Sequence, residues 1–333
     1  MRILATGPSG PAEELQPLRD AGHEVIVGRP LDQPARHPYT EAELTEACRD
    51  VDVVLPSSLE RITARVLEGS PRLRLVIVPF IGADKIDIPA ASRLGVLVAN
   101  SPTPQNFIAV AEATIGLVLM LLKRLKRGEG RLRRGEWARR EDRGDFLFGK
   151  TVGIIGLGRI GSRVARRLAN WEVRLIGCDP YVPAERAREV GVALGDLPTL
   201  LAEADVVTVH ACLTDETRGL IGEKELRLMK PRAILVNTAR GEIVDEEAIA
   251  RALQEGWIAG AALDAFAQEP LPLASPLRRV DPERLVVTPH NIGHSEAGRV
   301  ANLLLALDQI MALGRGEIPA HVLNPDAIGR RPR

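Results

Sequence analysis

The sequence predicts an α/β protein with parallel sheets, organised as two domains of which one is inserted in the other. Three observations carry this expectation. Short β-branched runs bounded by Gly, Pro, Asp or Asn alternate with helical patterns along the whole 333-residue chain, the alternation that parallel strands with crossover helices produce. A glycine turn, Gly156-Leu-Gly158-Arg-Ile-Gly161, follows one such run near the middle of the chain, not at its start. An amphipathic stretch over 295–314, with Ala301, Leu304, Leu305, Leu307, Ile310 and Met311 on its apolar side, is patterned as a helix that returns to the N-terminal part.

In chain order, candidate strands at 2–6, 24–27, 52–55, 74–78 and 96–99 form a half-domain that does not easily close alone. Residues 1–100 with 295–333 are therefore read as one domain and 101–294 as the inserted one. Thr103 and Pro104 suit the start of a helix. Phe107, Val110, Ala111, Thr114, Ile115, Val118, Leu119 and Leu122 then follow at helical spacing, and Leu117, Met120 and Leu121 widen the stripe. A helix apolar nearly all round needs cover on both sides, which points to a domain or subunit interface. Residues 123–145 hold ten Lys/Arg and five Asp/Glu, with Gly128, Gly130 and Gly135 as expected breaks. Interleaved acids and a single Trp137 favour a solvated or partner-wrapping arm over a nucleic-acid patch. Further strands are expected at 151–155, 173–177, 205–209, 233–237, 259–263 and 285–288.

Composition narrows the function classes. Lys+Arg and Asp+Glu are both 44, so the formal net charge is zero and neither nucleic acid nor an acidic surface is implied as a partner. Cys48, Cys178 and Cys212 are too few and scattered for a disulfide framework or a metal site; they read as reduced thiols of a cytoplasmic protein. The start, Met1-Arg-Ile-Leu-Ala-Thr-Gly7, reads as a strand without a signal-peptide core. No uncharged apolar run reaches the ~18–20 residues of a membrane span.

The chemistry-bearing residues lie just past predicted strands, where open α/β sheets place their ligands. In strand–turn–helix context the three glycines of the mid-chain turn let the backbone bend sharply and let a pyrophosphate approach a helix N-terminus. Asp179 ends the run Val173-Arg-Leu-Ile-Gly-Cys, eighteen residues after Gly161. A carboxylate there accepts from adenosine ribose hydroxyls and repels a 2′-phosphate, favouring NAD(H) over NADP(H); alone, Asp179-Pro180 also suits a plain turn. Arg240, Glu269 and His290 each follow a later strand. Moving hydride at a carbinol carbon requires moving a proton at its oxygen. A histidine suits that transfer, a carboxylate stabilises the imidazolium and orients it, and a guanidinium polarises a carbonyl and grips a carboxylate.

Six motifs in order make the chain similar, over nearly its whole length, to the D-isomer-specific 2-hydroxyacid dehydrogenases. They are Gly82-Ala-Asp84-Lys-Ile-Asp87, Asn106-Phe-Ile-Ala-Val-Ala-Glu112, the turn 156–161, Arg232-Ala-Ile-Leu-Val-Asn-Thr-Ala-Arg240-Gly-Glu-Ile-Val-Asp245, Ala262-Leu-Asp264-Ala-Phe-Ala-Gln-Glu269-Pro270 and Thr288-Pro-His290-Asn-Ile-Gly-His-Ser295. The resemblance implies two Rossmann-like or flavodoxin-like domains with the nucleotide-binding domain inserted into a discontinuous substrate domain, a cleft between them, and a homodimer through 103–150. It implies catalytic roles for His290 as proton donor, Glu269 as its partner and Arg240 on the keto oxygen and carboxylate. Backbone N–H groups at Ile81 and Gly82 would hold the substrate carboxylate. Gly156, Gly158, Arg159, Ile160, Gly161, Asp179, Ala211, Thr238, Ala239, Arg240, Asp264, His290 and Gly293 would meet the cofactor.

Departures from the family pattern refine this. Phe80 stands where the substrate loop has glycine, and Cys212 stands where a proline follows His210-Ala. Pro56-Ser57-Ser58 lacks the arginine of phosphoglycerate-specific members. Glu269, not glutamine, disfavours formate, and Ile81, not lysine, disfavours phosphite. A short 2-keto acid such as glyoxylate or hydroxypyruvate is the expected substrate. The competing expectation is an NAD-sensing, non-catalytic, corepressor-like interaction protein. His294 is left as either a substrate contact or a cap for the return helix.

Overall fold

The computed structural model describes residues 1–8, 10–29 and 37–330. The chain divides into two compact units, Met1–Asn106 with Ser295–Arg333, and Phe107–His294.

The first unit carries β1 (Arg2–Ala5), β2 (Glu24–Val27), β3 (Val53–Leu55), β4 (Leu75–Val78) and β5 (Leu97–Asn100). All pairs are parallel and the sheet order is β2-β1-β3-β4-β5, the flavodoxin-like arrangement. β3 and β4 are buried throughout, as strands covered on both faces must be. One face packs Leu44, Cys48, Val66, Leu67, Ala90 and Ala91 from three helices; the other packs Leu15 and Leu18 with Ala306, Leu307, Ile310 and Leu313. The last four belong to the helix Glu296–Gly314, so the return helix completes the first unit's core. β5 would be an open edge. Residues 321–324 cover it: Leu323 N–H donates to the Val98 carbonyl (2.7 Å), and Asn324 Oδ1 accepts from Val98 N–H (2.7 Å) while its Nδ2 donates to the Val96 carbonyl (2.9 Å).

The second unit carries β6 (Thr151–Ile155), β7 (Arg174–Cys178), β8 (Ala193–Leu194), β9 (Val206–Val209), β10 (Ile234–Asn237), β11 (Gly260–Leu263) and β12 (Leu285–Val287). The parallel order β12-β11-β10-β9-β6-β7-β8 is the doubly wound arrangement with one added strand, and its direction of winding reverses between β6 and β9. β8 was not expected: two residues between Gly191 and Gly195 show no periodicity, and only pairing with Ile176 and Gly177 makes them a strand. The helix Pro104–Leu122 has the length and mean hydropathy (1.7) of a membrane-crossing segment, yet half of it is buried. Ala111, Leu117, Val118 and Leu122 pack with Val152, Ile154 and Val206 as part of the second unit's core.

The segment after it differs from expectation. Gly128 and Gly130 do not break it; Leu125–Arg133 is a helix that ends before Gly135, at φ 74°. The acids fold back on the cations and offset the glycines' low helix propensity. Arg127 and Arg131, one turn apart, both reach Asp142 (2.6 Å each), and Arg131 also pairs with Glu136 at 2.7 Å. Arg127 and Arg131 are thereby paired from within the stretch.

Asn324 is buried and its amide serves the edge of β5 on both sides. Asn324→Ala leaves Val98 N–H and the Val96 carbonyl without these partners, and is expected to cost about 1–3 kcal/mol. Urea unfolding of the two proteins measures it.

Candidate functional site at the carboxyl edge of the second sheet

β6 runs directly into the glycine turn, and the three glycines are required for different reasons. Gly156 has φ 88°, and a Cβ there would lie 2.7 Å from Ala211 N. A Cβ on Gly161 would collide with the Gly156 carbonyl oxygen, whereas a Cβ on Gly158 would meet nothing within 4 Å. The first glycine makes the bend, the third lets the helix Gly161–Leu168 pack against the strand, and the second leaves an exposed backbone open to a ligand. Arg159 is exposed beside it, its guanidinium 5.2 Å from the Phe107 ring, and Ile160 caps the helix.

Asp179, one residue past β7, is tied to this turn. Its Oδ2 accepts from Leu157 N–H (2.8 Å), and its Oδ1 accepts from the N–H groups of Tyr181 (2.9 Å) and Val182 (3.2 Å). The carboxylate thus shapes its own turn and also reaches the glycine loop. Open space at Gly158, the left-handed Gly156 and a carboxylate at the end of the next strand fit a dinucleotide at the point where the winding reverses.

Past β10, Asn237 is fully buried and clamps the loop that follows. Its Oδ1 accepts from Ala239 N–H (3.0 Å) and its Nδ2 donates to the Arg240 carbonyl (2.8 Å). Thr238 is buried with its hydroxyl 3.1 Å from that of Thr114. Arg240 is half-buried, extended in backbone, and one Nη1–H donates to the Ala239 carbonyl. Gly241 follows because a Cβ there would strike the backbone at Phe266 and Ala267.

Past β11 and β12 lie the acid–base candidates. The buried Asp264 accepts at Oδ1 from Thr288 Oγ1 (2.6 Å), Asn291 N–H (3.0 Å) and Ile292 N–H (3.4 Å). These bonds bracket His290, which adopts φ 51°, a strained setting for a residue with a side chain. His290 Nδ1 lies 2.8 Å from Glu269 Oε1, which also accepts from Phe266 N–H at 3.1 Å. Glu246 braces the same loop by accepting from Ala267 N–H (2.7 Å); burial, then its acidic neighbours, raise its pKa. Gly293 ends the bracketed loop. His294 is exposed and does not cap the return helix: Ser295 does, its hydroxyl accepting from Gly298 N–H (3.1 Å). Its pKa is lowered, first by atoms packed around it and then by His290.

In the first unit, the loop after β4 is fixed through its carbonyls. Asn100 Nδ2 donates to the Ile81 carbonyl (2.7 Å) and Ser101 N–H to that of Phe80 (3.0 Å). Among the described residues no oxygen accepts from the N–H groups of Ile81 or Gly82. Phe80, in place of glycine, anchors the loop on the apolar core. Cys212, in place of proline, is exposed; the turn is instead set by Thr217, whose hydroxyl donates to the Cys212 carbonyl (2.6 Å).

Sequence reasoning passed over Asn237, Thr288, Glu246 and His210. Polar residues at the ends of otherwise apolar runs were the available signal. His210 follows β9 beside Gly156. Both its ring nitrogens are buried without a hydrogen-bond partner among the described residues, and burial pushes its pKa down from 6.5 to about 3.

The NAD-binding-domain model of the D-isomer specific 2-hydroxyacid dehydrogenases matches residues 115–291. A glyoxylate reductase from Thermofilum pendens is 39% identical, over 93% of this chain and 91% of that protein. A D-3-phosphoglycerate dehydrogenase from Methanocaldococcus jannaschii is 40% identical over 97% of this chain, which spans only 59% of that protein's length. The structure of D-lactate dehydrogenase from Aquifex aeolicus complexed with NAD and lactic acid superposes with a TM-score of 0.84 at 26% identity, covering 97% of this chain and 99% of that one.

His210 supplies a pH test of this edge. Its folded pKa lies below its unfolded value, so the unfolded chain binds more protons between about 3 and 6.5 and stability rises with pH across that window. Acidification from pH 7 to 5 is expected to cost up to about 2 kcal/mol through this group. His210→Gln should lose that part of the pH dependence in urea unfolding at the two pH values; equal acid sensitivity would contradict it.

Proposed function

The chain belongs to the D-isomer-specific 2-hydroxyacid dehydrogenase family, and from that premise we propose that it interconverts a small D-2-hydroxy acid and its 2-keto acid, using NAD(H) in preference to NADP(H) and His290 as acid–base group. The observation that carries this reading is the His290–Glu269 pair at 2.8 Å. Glu269 occupies Nδ1, which leaves Nε2 as the nitrogen that meets substrate. In the reductive direction the bound nicotinamide supplies the hydride that goes to C2 of the keto acid. His290 donates a proton to the carbonyl oxygen, and Glu269 stabilises the imidazolium before the transfer. Arg240 polarises the carbonyl and grips the carboxylate, and the N–H groups of Ile81 and Gly82 bind carboxylate oxygens. On the cofactor, Gly156, Gly158, Arg159, Ile160 and Gly161 serve the pyrophosphate, Asp179 the ribose, and Ala211 the adenosine side. Thr238, Ala239, Asp264 and Gly293 border the nicotinamide.

The stretch Pro56-Ser57-Ser58 carries no arginine for a substrate phosphate, which supports a small uncharged C2 substituent, as in glyoxylate or hydroxypyruvate. Exposed Leu132, Trp137, Phe146 and Phe148 in and just after the arm support a homodimer through 103–150. Free thiols at Cys48, Cys178 and Cys212 suit a cytoplasmic protein, with neither nucleic acid nor membrane as partner. Retention of Arg240, Glu269 and His290 speaks against the non-catalytic interaction protein.

His290→Ala is expected to lower kcat for keto-acid reduction by about 10²–10⁴ while NADH affinity, read by fluorescence titration, stays within twofold. Full activity in this variant would sink the assignment. Glu269→Gln removes the carboxylate that orients the His290 ring, so kcat for reduction should fall by about tenfold or more while NADH affinity stays within twofold. An unchanged kcat would refute the pairing.

A further inference from the structure

Two residues outside the fingerprint lie against the proposed cofactor region. Tyr181 follows Asp179 by two positions, and its hydroxyl donates to Glu216 Oε2 at 2.6 Å. Tyr181 belongs to the segment after β7 and Glu216 to the segment after β9. These strands flank β6 in the sheet, and at about 4.8 Å per strand the link spans ~10 Å across the carboxyl end of β6, where the glycine turn begins. The turn that delivers Glu216 is fixed by Thr214 and Thr217, each accepting at its hydroxyl the other's N–H (3.3 and 2.8 Å).

The link is a poor stabiliser of the fold. Tyr181 is 77% exposed and Glu216 is exposed, so the bond competes with water and contributes little. Its position is more telling than its strength. Three backbone N–H groups already donate to the two oxygens of Asp179. Glu216 has no cationic partner among the described residues, and Arg218 nearby pairs with Glu242 instead. Both carboxylates act on the Tyr181 hydroxyl, raising its pKa, Glu216 more than Asp179. The phenol therefore stays protonated as the donor, and the two carboxylates share one neighbourhood.

We propose that Tyr181 and Glu216 form a second cofactor-selectivity element: Tyr181 holds the Glu216 carboxylate at the ribose side of the adenosine pocket, where it and Asp179 together repel a 2′-phosphate. The inference rests on the NAD(H) reading above. Asp179 receives the ribose hydroxyls, and Glu216 adds negative field without being needed to bind NADH.

Equilibrium fluorescence titration of NADH and NADPH against wild type, Glu216→Gln and Tyr181→Phe, all retaining Asp179, tests this by binding and not by turnover. Glu216→Gln should tighten NADPH about three- to tenfold, as expected when one of two exposed carboxylates facing a dianion is neutralised, with NADH within twofold. The gain should shrink as salt is raised. Tyr181→Phe, which frees the carboxylate but keeps its charge, should shift NADPH in the same direction by less. NADPH affinity unchanged in Glu216→Gln, with the wild-type preference for NADH intact, overturns this inference alone. A wild type that binds neither dinucleotide overturns the NAD(H) reading and this inference with it.

Discussion

The buried carboxylate of Asp264 is the interaction on which the candidate site depends. A buried charge is tolerable only when its lone pairs are filled, and Asp264 fills Oδ1 from one hydroxyl and two backbone N–H groups, all in the loop after β12. Those three bonds hold the chain on either side of His290 and so sustain its left-handed backbone against the strain of a side chain at φ 51°. Without that fixed backbone the imidazole would not remain on Glu269. Asn237 does the corresponding work one strand over, using both ends of its amide to set the loop that carries Arg240.

These positions meet because of how a doubly wound parallel sheet is built. Every strand of the second unit points its carboxyl end the same way, and the winding reverses between β6 and β9, the place where open α/β sheets bind ligands. β6 contributes the glycine turn, β7 contributes Asp179, β10 contributes Arg240, and β11 and β12 contribute Glu269 and His290. The chain needs no long-range design to assemble them beyond strand order. Each candidate side chain lies a few residues past its strand, and the buried Asn237 and Asp264 brace the loops that carry Arg240 and His290.

Much of this was legible in the sequence. Buried parallel strands read as short apolar runs, so β6, β9, β10 and β11 were visible, and the ordered motifs identified Arg240, Glu269 and His290. What escaped notice depends on tertiary contact. β8 exists only through its pairing with Ile176 and Gly177. The helix Leu125–Arg133 runs through two glycines while Asp142 and Glu136, outside it, hold Arg127 and Arg131. Ser295, not His294, caps the return helix, a one-residue distinction that periodicity does not resolve. Asn237 and Thr288 looked like ordinary strand ends, and the unpartnered ring of His210 depends on burial that no local pattern reports.

The central claim is that this edge of the sheet performs acid–base-assisted hydride transfer on a D-2-hydroxy acid. It is tested most directly by incubating the purified protein with NADH and hydroxypyruvate, following NADH oxidation, and resolving the product on a chiral column. The account predicts one NADH oxidised per glycerate formed, all of it the D-isomer. L-glycerate, or NADH bound without oxidation against hydroxypyruvate and the other short 2-keto acids, would contradict it.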